Sequence, residues 1–126
     1  MLVFVTKEFG RFARTQNIAD DRLCEAIQRA EDGLIDADLG SGVIKQRVAR
    51  AGQGRRSAFR TLIAYRHGQR AIFVHGFAKN ERDNIGENDL SRLRKGAAEI
   101  LSWGEQRIRV LLANGKWREV MCNGQN

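Results

Sequence analysis

The feature that most constrains this chain is a strand-like segment between residues 43 and 78 that carries many cations and no acid. Between residues 39 and 80, lysine and arginine occur nine times, whereas aspartate and glutamate are absent. The formal charge of the whole chain is +7, so the other residues together carry a net −2. The positive charge is therefore local to one segment. Its carriers are Lys45, Arg47, Arg50, Arg55, Arg56, Arg60, Arg66, Arg70 and Lys79.

Hydrophobic and polar periodicity predicts an α+β fold for this segment and its surroundings. We expect a small antiparallel twisted sheet, packed by two N-terminal helices and one long C-terminal helix. Polar residues 36–42 are predicted to be a linker, and residues 51–57 a hairpin loop. The predicted strands are 2–5, 43–49, 58–65, 71–78 and 117–121; the predicted helices begin near Thr6, Asp20 and Leu90, the last with a kink or break near residues 102–104.

A period of two gives this sheet a cationic face. Lys45 and Arg47 fall on one side of their strand, and Ile44 and Val48 fall on the other. Concentrated positive charge of this kind suits nucleic acid, a membrane surface or an acidic protein. Membrane-binding patches more often lie on amphipathic helices, so we expect a polyphosphate backbone and no membrane as the partner.

Length and composition indicate one domain spanning residues 1–126, with residues 102–126 as a C-terminal extension. The apolar N-terminus ends after five residues, which is too short for the core of a signal peptide, so we expect a cytoplasmic protein. Cys24 and Cys122 lack the spacing of a metal site. We expect two free, reduced thiols, no metal and no cofactor.

Four short motifs follow one another along the basic segment: Lys45-x-Arg47, Gly52-x-Gly54-Arg55-Arg56, Arg60 in a β-branched and aromatic strand, and Phe77-Ala78-Lys79-Asn80-Glu81. In this order, after two predicted helices and before another, they resemble the RelE/HigB superfamily of type II toxins. The resemblance covers residues 1 to about 101. The C-terminal segment resembles an extension found in the HigB-like branch, which also has the Lys-Asn-Glu form.

This resemblance implies a toxin that cuts mRNA on the ribosome and is neutralised by a cognate antitoxin, which we expect to be a helix-turn-helix protein. It implies attack of a ribose 2′-OH on the adjacent phosphate, with basic residues of the sheet matching Lys45, Arg47, Arg60 and Lys79. Where the best-known members have an arginine and then a tyrosine, this chain has Asn80 and Gly86. A tyrosine proton carrier therefore cannot be assigned.

The chemistry of RNA cleavage suggests roles for these residues. Arginine donates paired hydrogen bonds to phosphate oxygens and stays charged, so Arg47 and Arg60 are expected to stabilise the transition state. Positive neighbours disfavour a protonated ammonium, so Lys45 or Lys79 is expected to exchange protons, with Glu81 as a base or an orienting group. The predicted RNA-binding residues are Arg50, Arg55, Arg56, Arg66 and Asn80.

Plainer interpretations of the same residues stay open. Lys45 and Arg47 would also suit an ordinary solvated strand face, and His75 within an apolar strand is more typical of a sheet or core histidine than of a catalyst. The same charge would serve a non-catalytic RNA- or DNA-binding module. A ParE-like inhibitor of DNA gyrase would use the same fold without a cleavage centre. Clustering of the cations on one surface favours the nuclease, whereas scattering over both faces favours the binding module.

Overall fold

The computed structural model describes residues 1–50, 54–77 and 86–122, and only the backbone for residues 54–57. Within these ranges the chain forms six strands and four helices. They are β1 (Leu2–Thr6), α1 (Lys7–Thr15), α2 (Asp20–Glu31), β2 (Ala37–Gly40), β3 (Val43–Arg50), β4 (Gly54–Arg66), β5 (Arg70–Phe77), α3 (Glu87–Ser102), α4 (Glu105–Ala113) and β6 (Trp117–Glu119).

The strands form one mixed sheet in the order β2-β3-β4-β5-β1-β6. The expectation of a purely antiparallel sheet is wrong at one pair, because β1 runs parallel to β5. The chain leaves β1 through α1 and α2, and a long connection of this kind allows a parallel neighbour. The predicted linker is also partly wrong, since Ala37–Gly40 pairs with β3 as an edge strand. The predicted hairpin loop is too long, because β4 already begins at Gly54.

Helices cover both faces of the sheet. α1 and α2 enclose one apolar core with the inward residues of the central strands, among them Phe9, Leu23, Ile63 and Phe73. α3 and α4 enclose a second core on the opposite face, around Phe4. No helix in the described ranges has the length and apolarity needed to cross a membrane.

The predicted helix starts agree with the structure at the N-terminal end. Thr6 caps α1, and its Oγ1 accepts a hydrogen bond from the Phe9 backbone N–H at 3.1 Å. The predicted single C-terminal helix is instead two helices, separated at Trp103 and Gly104, where a kink or break was expected. The fold therefore has two helices on each face of the sheet.

Two of the nine cations stabilise the end of α3. Arg66 donates to the Leu101 carbonyl at 3.0 Å, and Arg70 donates to the Trp103 carbonyl at 2.7 Å. The last turn of α3 contains no basic residue of its own. Because positive charge near a helix C-terminus is favourable, the turn between β4 and β5 supplies what the helix lacks.

The expectation of two free thiols is wrong. A disulfide joins Cys24 of α2 to Cys122, which follows β6, across a sequence separation of 98 residues and with a Cα–Cα distance of 5.6 Å. β6 pairs with β1 at the sheet edge, and Val120 packs in the same core as α2. The C-terminal segment is thereby brought over α2, a juxtaposition that no local cysteine spacing reveals.

Candidate nucleic-acid interface

The register of the three central strands brings predicted site residues together on one face. Arg47 of β3 lies opposite Arg60 of β4, so their Cβ atoms are about 5 Å apart. Lys45 lies one row away on the same side, opposite Leu62. All three cations are partly exposed. The predicted alternation is confirmed, because Ile44 and Val48 are buried in the core on the other face.

A β-bulge in β5 adds a histidine to this face. Ile63 pairs with Phe73, but Leu62 pairs with His75, so Val74 is an extra residue in the ladder. Without the extra residue His75 would lie opposite Thr61 and point towards α1 and α2. The bulge therefore turns His75 onto the side that carries Lys45 and Arg60, and its side chain is exposed.

A groove of about 1430 Å³ opens beside these residues, between the sheet and the two C-terminal helices. His75 and Phe77 line its sheet side, while Leu93 and Trp103 line its helical side. The groove is walled by both apolar and charged side chains. Its charged lining residues are Lys7, Glu8, Asp89, Arg92 and Lys116.

Arg47 is held at the sheet edge by Asp36. Its backbone N–H donates to Asp36 Oδ2 at 2.7 Å, and its guanidinium donates to Oδ1 at 3.3 Å. Partial burial favours a higher pKa for Asp36, but these hydrogen bonds and the charges of Arg47 and Arg29 outweigh it and hold the pKa below its usual range. The Arg47 side chain remains 41% exposed, which leaves other guanidinium N–H groups accessible to a ligand.

Arg60 is positioned by its own strand. Its guanidinium Nη1 donates to the Ala58 carbonyl at 2.8 Å, and Ala58 precedes it by two residues on the same side of β4. This contact directs one edge of the planar guanidinium towards the backbone. The arrangement favours a fixed orientation of the group, which is what phosphate recognition by arginine requires.

Buried polar contacts fix the other side of β3, directly beneath the cations. Gln46 is fully buried and donates to the carbonyls of Ala26 at 3.0 Å and Leu34 at 3.2 Å. Its side-chain oxygen accepts from the Asp36 N–H at 2.7 Å, and the buried Thr61 hydroxyl donates to the Gln46 carbonyl. Gln46 therefore connects α2, the start of β2 and the strand that bears Lys45 and Arg47.

Other predicted RNA-binding residues lie elsewhere or beyond description. Arg50 lies over the Phe59 ring at 4.7 Å, on the face opposite Lys45, and Arg66 binds the end of α3. The cations therefore divide between a cluster on one face and positions away from it. The side chains of Arg55 and Arg56, and all of Lys79, Asn80 and Glu81, lie outside the described residues.

The single tyrosine of the chain is committed to a different part of the fold. Tyr65 donates to Glu31 at 2.5 Å, and the Gly68 N–H donates to the same carboxylate at 2.9 Å. Burial, the hydrogen bond to Glu31 and its negative charge raise the pKa of Tyr65. Burial opposes ionisation of Glu31, but these hydrogen bonds and the nearby His67 and N-terminus lower its pKa. Tyr65 therefore joins the β4–β5 turn to α2.

Two residues of the cationic face are not among the predicted site residues. Asp36 lies outside the acid-free segment, and only the pairing of β2 with β3 brings it beside Arg47. His75 is displaced by a bulge that simple alternation does not anticipate. The one local signal for the bulge is Gly76, since a Cβ at this position would lie 2.4 Å from the Phe12 ring.

Comparison with known proteins gives one positive finding. A family model described as the RelE toxin of the RelE/RelB toxin-antitoxin system matches residues 1–120. The match extends through α4 and β6, beyond the part of the chain on which the resemblance was based. No curated protein matches the chain.

Proposed function

The chain belongs to the RelE toxin family, and on that premise we propose that it is an endoribonuclease that cuts mRNA on the ribosome. The family consists of toxins of toxin–antitoxin systems. The observation that carries the proposal is the cluster of Lys45, Arg47 and Arg60 on one partly exposed face of the sheet. A cationic surface of this kind can bind a phosphodiester and stabilise additional negative charge upon it.

In the proposed reaction, the ribose 2′-oxygen bonds to the adjacent phosphorus and the bond from phosphorus to the 5′-oxygen breaks. The 2′-OH loses its proton, and the leaving 5′-oxygen gains one. The products carry a 2′,3′-cyclic phosphate and a 5′-OH. Arg47 and Arg60 bind the nonbridging oxygens, whose charge grows in the transition state. Lys45 or Lys79 supplies the proton to the leaving oxygen.

Asp36 tunes the proposed phosphate contact. It uses part of the Arg47 guanidinium and fixes the strand backbone at the same residue. Arginine has five N–H donors, so a phosphate can bind the exposed part while the ion pair persists. The pair therefore orients Arg47 at the cost of some positive charge.

The proposed partners follow from the family and the charge. A cognate antitoxin would neutralise the toxin by covering the cationic face, and we propose a helix-turn-helix protein for this role. The proposed site of action is the cytoplasm, where translating ribosomes are found. A short reading frame beside the gene that encodes a helix-turn-helix protein would support the pairing.

The first test is induced expression without an antitoxin in a bacterial host. We expect growth arrest and cleavage of mRNA within translated regions, mapped by primer extension. Intact transcripts accompanied by relaxed or broken DNA would instead assign the protein to gyrase inhibition. Intact transcripts and intact DNA would indicate a binding module.

Variants of the cationic face provide the second test. Arg60→Ala should lower the rate of mRNA cleavage by about 100-fold or more, as loss of a transition-state donor does, and Lys45→Ala should also lower it. The control is Arg22→Ala, which removes an exposed arginine of α2 on the other face. Circular dichroism should show that all three variants are folded. Full cleavage by Arg60→Ala and Lys45→Ala would place the reaction elsewhere.

A further inference from the structure

We propose that His75 is the general base of the cleavage reaction and takes the proton from the attacking 2′-OH. This inference rests on the proposed nuclease function and adds a catalytic residue to it. The described cations of the face bind phosphate but do not accept a proton in their charged forms. A neutral imidazole presents a nitrogen acceptor and exchanges protons readily near neutral pH.

The β-bulge at Val74 is the first observation that supports this role. Regular pairing continued from Ile63 and Phe73 would place His75 opposite Thr61, a buried residue on the α1 and α2 side. The bulge places it opposite Leu62 instead. Bulges commonly redirect a side chain next to an active site, and here the redirected residue is one of only two histidines in the chain.

The surroundings of the imidazole are the second observation. His75 is exposed and lines the groove beside the cationic face. Its ring meets the Phe77 ring edge-to-face, with centroids 4.7 Å apart and planes at 83°. Phe77 is buried and lies opposite Arg60. One side of the imidazole is therefore supported by a fixed aromatic ring while the side chain remains open to a ligand.

The spacing of the strands is the third observation. Lys45, Leu62 and His75 form one row across β3, β4 and β5. Neighbouring strands lie about 4.8 Å apart, so the backbones of the first and third strands are separated by about 9.6 Å. A phosphate between them can reach both polar side chains through hydrogen bonds of about 2.8 Å. Leu62, which is buried, forms the floor beneath it.

In the proposed step, the neutral imidazole accepts the 2′-OH proton as the 2′-oxygen bonds to phosphorus. The bond from phosphorus to the 5′-oxygen breaks, and Lys45 on the far side of the row donates a proton to the leaving oxygen. Arg60 and Arg47 hold the nonbridging oxygens between them. The imidazolium then returns its proton to water, and Lys45 regains one, so both residues end as they began.

Other ionisable groups near His75 bear on its pH dependence. Among the described residues, the groove also contains the carboxylates of Glu8 from α1 and Asp89 from α3, and Glu8 is the alternative proton acceptor. The remaining charged groups on this face or along the groove are Lys7, Lys45, Arg47, Arg60, Arg92 and Lys116. A pH profile alone therefore does not assign the base, and substitutions are needed.

The experiment compares His75→Gln with His67→Gln, using ribosomes programmed with mRNA. His67 lies in the β4–β5 turn, at the other end of these strands, and contacts the Glu31 carbonyl at 3.1 Å. We expect His75→Gln to lower the single-turnover cleavage rate by about 100-fold or more, with unchanged binding to the programmed ribosome. His67→Gln should cleave like the unmodified protein.

The pH profile provides the readout that a structural role would not change. The rate of the unmodified protein should rise with pH on the acid side, as the base loses its proton, and this limb should be absent in His75→Gln. A variant with the same rate and the same limb would refute the assignment. If Glu8→Gln removes the limb and His75→Gln does not, the base is the carboxylate.

The same assay separates failure of this inference from failure of the proposed function. If the unmodified protein leaves mRNA intact on the ribosome, the nuclease function itself is wrong. If it cleaves and depends on Arg60 but not on His75, only the assignment of the base is wrong. If His75→Gln loses ribosome binding in proportion to its loss of cleavage, the histidine serves binding and the proposal is refuted.

Discussion

Replacing Gln46 by leucine should destabilise the fold from directly beneath the cationic face. Gln46 is fully buried and makes three side-chain hydrogen bonds, to the carbonyls of Ala26 and Leu34 and from the Asp36 N–H. Leucine has a similar size but neither a donor nor an acceptor. The substitution therefore removes all three bonds without opening a large cavity, which isolates the polar contribution.

The size of the effect follows from the groups left behind. The Ala26 carbonyl lies inside α2 and keeps its helical hydrogen bond, so its loss is the smallest. The Leu34 carbonyl and the Asp36 N–H lose their contact with Gln46, and an unsatisfied buried group costs about 1–3 kcal/mol. With a partial offset from the apolar leucine, we expect the free energy of unfolding to fall by about 3 kcal/mol.

The assay is urea unfolding followed by circular dichroism and tryptophan fluorescence. The midpoint should fall while the slope with denaturant stays constant, because the surface exposed on unfolding changes little. The matched control is Gln28→Leu on the exposed face of α2, where Gln28 bonds only to the exposed Asp32 and the change should be within about 0.5 kcal/mol. If the two variants prove equally stable, the buried hydrogen bonds contribute no net stability and the reasoning is wrong.

Three further predictions concern a glycine, the disulfide and an ion pair. Gly76→Ala places a Cβ 2.4 Å from the Phe12 ring and should cost about 1–3 kcal/mol by urea unfolding, whereas Gly96→Ala, with open space around it, should be neutral or stabilising; the reverse order would contradict the packing at the bulge. Cys24→Ser opens a link across 98 residues and should lower the thermal midpoint under oxidising conditions, by up to about 4 kcal/mol of stability, and not in the presence of a reductant; equal midpoints in both conditions would indicate reduced thiols. Because the pKa of Asp36 is lowered in the folded state, its stabilising contribution is complete above its unfolded pKa and is lost as pH falls through the folded value. Asp36→Asn should therefore flatten the acid limb of stability against pH, and an unchanged limb would show that the ion pair contributes nothing.

Much of the candidate site was predictable because it depends on local patterns. A period of two is enough to place Lys45 and Arg47 on one side of β3, and the acid-free segment is visible by inspection. The cap at Thr6 depends on a contact only three residues away. By contrast, the use of Arg66 and Arg70 at the end of α3 depends on residues more than thirty positions away, and no local pattern separates these two arginines from those at the site.

The sequence by itself determined the family, the positive charge of the sheet and the alternation that exposes Lys45, Arg47 and Arg60. These properties are local or additive, so they can be read without knowing which elements meet. The tertiary structure decided the parallel pairing of β1, the disulfide between Cys24 and Cys122, and the partnership of Arg47 with Asp36. It also decided the side on which His75 lies, because one extra residue in a ladder inverts the alternation that follows.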